Sequence, residues 1–299
     1  MHVPAYHGGA FFEGIGEGFS TLENTKKIVS ADVLDAWFDP SPKVVKIIRD
    51  YLNFSIKTSP PTHAFGLRSA ISKFRGIPIE NILVGGGSSD LTFAFFPRLL
   101  EKKDKVLILD PMYGEYAHIL EKVIGATVFR HRLHKEDNFS INMGALIGEI
   151  QRIQPKMVMV VNPNTPTGQL TARKEWLRLL NAISPKIQLV VDEAYIEYAG
   201  GNHSLEKDVK RYPNLVILKS MSKVYALSGV RVGYLVASTL IINRLLPYIP
   251  PWAVSLPGQM AGVTALRDTP YYRKQWVKTH RLRKSFSKKL ARFPGFKVY

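Results

Sequence analysis

Seven short, mostly apolar runs, each closed by a polar or glycine-rich turn, constrain this chain more than any other feature. They occupy residues 82–84, 106–109, 127–129, 157–161, 188–191, 215–218 and 232–236. Runs of this length are too short for buried helices, and their β-branched content marks them as strands. Residues 157–161 (Met-Val-Met-Val-Val) carry no polar face, so both sides of that strand must be covered. Between the runs, helical patterns are predicted over 91–100, around Tyr116 and Leu120, and over 174–182. Two earlier helices are predicted over 43–52, opened by Pro40 to Pro42, and over 67–74. Doubly covered strands alternating with helices predict an α/β fold with a mainly parallel sheet. In such sheets ligands sit beyond the carboxyl ends of the strands.

The residues at those ends are chemically selective. The first strand runs into Gly85-Gly86-Gly87-Ser88-Ser89-Asp90 and then a helix, where free backbone N–H groups and the helix dipole make a seat for phosphate. The loop lacks the Gly-Lys-Ser/Thr ending of a P-loop and the Gly-x-Gly-x-x-Gly of a dinucleotide site. Gly14, Gly16 and Gly18 follow no strand and are discounted. Tyr113 follows the second strand, on a loop where a flat ring could cover another ring. The fourth strand stops at Asn162-Pro163-Asn164-Thr165-Pro166-Thr167-Gly168, and the fifth delivers Asp192 followed by Tyr195. The sixth ends in Lys219-Ser220-Met221-Ser222-Lys223, with Arg231 eight residues beyond Lys223. A partly desolvated amine at Lys223 is a nucleophile toward an aldehyde, and hydroxyls with an arginine suit a phosphate monoester. An aldehyde and a phosphate on one cofactor indicate pyridoxal 5′-phosphate (PLP). A carboxylate at Asp192 would then keep the pyridine nitrogen protonated. Taken singly, each feature has an ordinary structural explanation, such as a helix cap or core packing. Five of them at successive strand ends do not.

Composition narrows the classes. The 299 residues include no cysteine, which excludes disulfides, thiolate chemistry and cysteine-ligated zinc. No metal site is expected. The start, Met1-His2-Val3-Pro4, lacks the charged and apolar regions of a signal peptide, and no run approaches the ~18 apolar residues that span a bilayer, so a cytoplasmic location is expected. The formal charge of +17 is concentrated at one end: residues 271–299 hold ten Lys or Arg and no Asp or Glu, leaving +7 for the other 270. There Tyr272, Trp276, Leu282, Phe286 and Leu290 fall at helical spacing, which predicts an amphipathic helix with a basic solvent face and argues against a nucleic-acid tract. The chain has no internal repeat or low-complexity segment.

In the order of these motifs the chain resembles the fold-type I PLP enzymes, and within them the class I and II aminotransferases, most of all the histidinol-phosphate aminotransferase group. The resemblance runs from about Pro40 to the last residues. It implies a three-layer large domain followed by a small domain. It also implies roles for residues: Lys223 carries the cofactor covalently and moves the proton at Cα, Asp192 pairs the pyridine nitrogen and Tyr195 the phenolic oxygen. Tyr113 stacks on the ring, while Ser88, Ser89, Asp90, Ser220, Ser222 and Arg231 surround the phosphate. The family's turn carries Asn directly before Pro-Thr-Gly; here that position is Thr165, with Asn164 one earlier. Thr165 is expected to face the phenolic oxygen. Residues 59–62 lack the family's tyrosine that reaches a partner's phosphate, and the chain ends before the arginine that binds the substrate carboxylate.

The expected organisation is an N-terminal arm over 1–40, a PLP-binding large domain over 41–245 and an incomplete small domain over 246–299. The arm is aromatic, glycine-rich and aperiodic (His7-Gly8-Gly9-Ala10-Phe11-Phe12), which suits packing across the two-fold axis of a homodimer. The expected activity is amino transfer between an amino acid and a 2-oxo acid or ketone. Two alternatives stand beside it. One is a decarboxylase resembling threonine-phosphate decarboxylase, suggested by His7-Gly8-Gly9 and Pro251-Trp252-Ala253-Val254-Ser255. The other is a non-catalytic PLP-fold binding or regulatory protein, which would have no need of both Lys223 and Asp192.

Overall fold

A computed structural model describes residues 8–16 and 18–299; Met1 to Pro4 and His7 lie outside them. All seven predicted strands are present: β1 (Ile82–Gly85), β2 (Lys105–Asp110), β3 (Thr127–Arg132), β4 (Met157–Val161), β5 (Gln188–Asp192), β6 (Leu215–Ser220) and β7 (Gly233–Val236). They form one sheet in the order β1-β7-β6-β5-β4-β2-β3. From β3 to β6 every neighbouring pair is parallel, whereas β7 runs antiparallel to both β6 and β1. The reversed β7 therefore leaves β1 pointing the same way as β4, β5 and β6. That direction delivers the glycine loop after β1 to the edge where the other motifs end.

Strand alternation divides the apolar residues between two cores. Met157, Met159 and Val161 of β4 enter one core, with Leu91, Phe95, Phe96, Tyr116 and Ile119. Val158 and Val160 enter the other, with Leu67, Ile71, Trp176, Leu179, Tyr225 and Tyr272. A helix on each side is thus required by the absence of a polar strand face. The helices used below are α1 (Ser88–Leu99), α2 (Gly114–His118), α3 (Ile196–Ala199), α4 (Leu256–Arg267) and α5 (Thr269–Leu290). Helices at Pro42–Asp50, Phe65–Arg75 and Arg173–Ala182 lie within two residues of their predicted ends. The sequence reading missed Met143–Ile153 and α4. In α4, Gly258, Gly262 and Ala261 leave no bulky apolar stripe to detect.

Two expectations are corrected. The first 40 residues are not without regular structure: Ala10–Ile15 is a short helix with Ile15 buried, although Phe12 and Phe19 stay exposed. In α5 the amphipathic pattern holds only in its first half. Tyr272 is buried and Trp276 packs against the core, but Leu282 and Phe286 are exposed, because by then the helix has run past the body of the sheet. Ala261, Ala265 and Leu266 of α4, in the segment expected to open the small domain, pack in the same core as the sheet.

Candidate active site

One cavity of about 250 Å³ opens at the carboxyl end of the sheet. Ser88 and Ser89 reach it from the start of α1, Tyr113 from the loop after β2, and Thr165 from the turn after β4. Asp192, Tyr195, Ser220 and Lys223 line it from the ends of β5 and β6. Eight of the twelve residues singled out in the sequence therefore meet in a single space. The sheet order explains why: the chain leaves β2 for β3 on one side and β4 for β5 on the other, so the loops part there and open a crevice.

The remaining four surround it. Asp90 turns back into its own loop, accepting from the Gly86 N–H at 2.8 Å. Ser222 is buried and its N–H donates to Ser220 Oγ at 3.2 Å. Arg231 adopts a left-handed backbone (φ 54°), and its guanidinium donates to the Ser228 carbonyl at 3.1 Å while lying against Gly87. Gly87 has φ 104°, and a Cβ there would collide with that guanidinium, so only glycine lets the arginine reach the loop. Gly233 acts similarly: its Cβ would stand 2.5 Å from the Ser88 nitrogen that begins α1. Asn164 is buried outside the cavity. Its amide donates to the Pro111 carbonyl and to Thr167 Oγ1, both at 3.0 Å, and its Oδ1 has no hydrogen-bond partner among the described residues.

Asp192 is only 7% exposed. Its Oδ2 accepts from the Tyr116 hydroxyl at 2.6 Å and its Oδ1 from the Ala194 N–H at 2.8 Å. Burial nevertheless raises its pKa above the usual carboxylate range, against the pull of these two donors. Burial and the Asp192 charge push the Tyr195 phenol up to about 12, so it is a hydrogen-bond donor at neutral pH. Lys223 Nζ is paired with Asp35 Oδ1 at 3.0 Å, and Ser228 donates to the same oxygen at 2.6 Å. Burial opposes ionisation of Asp35, but these two donors outweigh it and hold its pKa low. Asp35 was not anticipated, nor were Gly8, Asp32, Val33 and Leu34 of the N-terminal segment, which also line the cavity. Their segment has no periodicity, and its glycine motifs leave Asp32, Val33, Leu34 and Asp35 unmarked. Glu115 and Tyr116 were likewise missed as site residues, although a polar pair opening a helix after a strand is a signal that could have found them.

The sequence profile described as aminotransferase class I and II matches residues 31–299. The chain belongs to this aminotransferase family. A histidinol-phosphate aminotransferase from Ruminiclostridium cellulolyticum is 31% identical over 273 residues, covering 91% of this chain and 75% of the relative. The fold matches the crystal structure of histidinol-phosphate aminotransferase from Sinorhizobium meliloti in complex with pyridoxal-5′-phosphate, with TM-score 0.84 at 21% identity, over 97% of this chain and 75% of that one. It also matches L-threonine-O-3-phosphate decarboxylase from Porphyromonas gingivalis, with TM-score 0.71 at 26% identity, over 87% and 79% of the two chains.

The cavity of this aminotransferase fits the cofactor expected from its sequence. A buried carboxylate ends β5, an amine and several hydroxyl side chains, among them Ser88, Ser89, Thr165, Tyr195 and Ser220, line the space, and Gly87 leaves room for a guanidinium beside the helix start. Among the described residues no cluster of His, Asp and Glu could hold a metal ion.

On the other face of the same strands the aminotransferase has a closed ionic network. Lys219, 1% exposed, pairs with Glu197 Oε1 at 2.7 Å and Glu193 Oε2 at 3.4 Å. Arg75 pairs with Glu197 and, at 3.5 Å, with Glu206, which also accepts from the Tyr234 hydroxyl at 3.2 Å. Burial pushes the Glu193 carboxyl up to about 7, partly offset by Lys219. Burial opposes the charge of Glu197 too, but Lys219 and Arg75 outweigh it and hold that carboxyl low.

Proposed function

We propose that the cavity binds PLP and that the protein moves an amino group between an amino acid, in the class of histidinol phosphate, and a 2-oxo acid. The observation that carries this is the convergence of the Lys223 amine and the buried Asp192 carboxylate on one cavity. PLP supplies an aldehyde and an electron-withdrawing ring when bound. Lys223 would hold that aldehyde covalently and, once displaced by a substrate amine, move the proton at the substrate Cα. Asp192 would keep a proton on the ring nitrogen. Tyr195, which lines the cavity as a neutral donor, and Thr165, which lines it where Asn164 does not, would bond the phenolic oxygen. Ser88, Ser89, Ser220, Ser222 and Arg231 would hold the phosphate, with Asp90 fixing the loop and Tyr113 covering the ring.

Incubating the holoprotein with histidinol phosphate or phosphothreonine, with and without a 2-oxo acid, tests the function. Conversion of the cofactor to its amine form supports amino transfer. Stoichiometric carbon dioxide release would replace it with decarboxylation, and no change with any amino acid would support a non-catalytic role.

The working unit is proposed to be a homodimer with the N-terminal arm near the interface. Leu52, Phe54, Ile56 and Phe65 are all exposed around residues 52–65, an apolar surface that burial against a second copy would remove from water. Analytical ultracentrifugation at micromolar concentration decides this, and a monomer with full PLP occupancy would defeat it. The division into an arm, a large domain over 41–245 and an incomplete small domain over 246–299 is kept as part of this proposal. No helix among the described residues is long and apolar enough to cross a membrane. A cytoplasmic location, and a basic α5 that stays solvent-facing without binding nucleic acid, complete it.

A further inference from the structure

We infer that Tyr116 is a positioning residue for the cofactor: its hydroxyl fixes the Asp192 carboxylate as an oriented anion, and so sets how strongly the protein holds a protonated pyridine ring. The inference rests on the PLP assignment above and adds a residue that the sequence motifs do not reveal.

A carboxylate removed from water needs donors, or it takes up a proton instead. Among the described residues two donors bond Asp192, one of them a side chain. The Tyr116 hydroxyl donates to Oδ2 at 2.6 Å, a length typical of a hydroxyl bonded to an ionised oxygen. The tyrosine is itself held rigidly. Its ring is 2% exposed in the apolar core and stands edge-on to Phe96 at 6.0 Å and to Tyr113 at 5.6 Å. It lies one helical turn after Tyr113, so both rings reach the cavity, that of Tyr116 with its hydroxyl against Asp192. The second fixed donor, the Ala194 N–H, takes Oδ1 at 2.8 Å.

Each carboxylate oxygen accepts two hydrogen bonds, so one lone-pair direction remains on each after these contacts. With the plane of the group set from behind, the free direction is presented to the cavity that Asp192 lines. Burial works most strongly against the anion, and of the neighbouring charges Lys219 favours it somewhat more than Glu115 disfavours it. Without the phenol, Asp192 would be drawn toward its neutral form, which cannot hold a proton on the ring nitrogen. Tyr116 acts only through Asp192 and touches no reacting atom.

The test compares equilibrium binding of PLP with that of the carbocyclic analogue in which C–H replaces the ring nitrogen, using the apoprotein and its intrinsic fluorescence. Tyr116→Phe should weaken PLP binding about tenfold, the scale of a lost hydrogen bond to a charged group, and leave the analogue within about twofold. Placing 4-fluorophenylalanine at position 116 removes the donor at constant shape, so the comparison survives if Tyr116→Phe folds poorly. Placing 4-aminophenylalanine there returns a donor and should restore the difference between the two ligands. On an Asp192→Asn background the effect should vanish. Equal losses for PLP and the analogue, or no loss for either, would overturn the inference and leave Tyr116 a packing residue. A borohydride-reducible adduct on Lys223 in the unsubstituted protein checks the underlying site separately: its absence would count against the PLP assignment itself.

Discussion

Asp192 and Glu193 are neighbouring carboxylates at the end of one strand, and Lys219 and Ser220 are neighbours at the end of the next. Asp192 and Ser220 face the cavity, whereas Glu193 and Lys219 face the opposite core and bind each other. The cavity side is open: Asp192 accepts one hydrogen bond at each oxygen from the described residues, and Lys223 pairs with an exposed aspartate. The opposite side is closed, with three carboxylates and two cations paired with one another away from water, although Arg75 Nε has no hydrogen-bond partner among the described residues. Because side chains alternate along a strand, one residue in each pair can serve chemistry while the next anchors the same backbone. The difference teaches that charge near a site divides by face, and substitutions on the two faces should fail in different ways.

The strongest test of that division is the pair of lysines. Lys223→Ala should abolish amino transfer and the visible band of the bound cofactor, while PLP anchored by its phosphate stays detectable and thermal stability barely changes. A borohydride-reducible lysine adduct persisting at the site would break the assignment. Asp192→Asn should fold and bind PLP but lose turnover by orders of magnitude, since an unprotonated ring is a poor electron sink. Near-normal turnover would sink the role given to Asp192.

On the closed face the expected losses are in stability. Lys219→Ala leaves the buried Glu193 without its cation and Glu197 with Arg75 alone, and should cost about 3–5 kcal/mol above neutral pH, read by urea denaturation. Below pH 7 the cost should shrink, because Glu193 can take up a proton there. If Lys219→Ala instead kept its stability and lost only activity, the two faces would not be separable. Glu193 itself sharpens the comparison through pH. Its carboxyl is raised from 4.5 to about 7, so between these values the folded state binds more protons than the unfolded state. Stability should therefore fall as pH rises across that window, by at most about 3–4 kcal/mol at ~1.4 kcal/mol per unit. Glu193→Gln should flatten this slope relative to the unsubstituted protein, to which Asp192, also raised, contributes as well. Glu197, held low, loses its contribution only below the window, and Lys219, held high, only above it.

The smallest effect is expected at the turn after β4. Thr165→Val should cost about 1 kcal/mol of transition-state binding, roughly fivefold in kcat/KM, by removing one neutral hydrogen bond. Asn164→Ala should act instead on the turn, whose Pro111 and Thr167 bonds it breaks. A structure with Asn164 bonded to the phenolic oxygen and Thr165 turned away would reverse the two.

The sequence by itself determined the sheet and the end of it that matters. A strand without a polar face has one stable environment, so Met157–Val161 had to be covered on both sides, and a polar or glycine-rich segment after each run marked where the chain turns. Those signals are local, and they were legible for all seven strands. That Lys219, four residues before Lys223, is buried among glutamates was decided by the face it occupies once β6 is paired with β5. Asp35 reaches Lys223 across 188 residues, and Tyr116 reaches Asp192 across 76; neither contact leaves a trace in spacing, because each depends on where two distant segments are brought by the fold. The exposed second half of α5 has the same cause. Its apolar spacing matches that of the buried first half, and only the extent of the body it packs against distinguishes them. Periodicity records what a segment could bury, while the tertiary arrangement supplies or withholds the surface that would bury it.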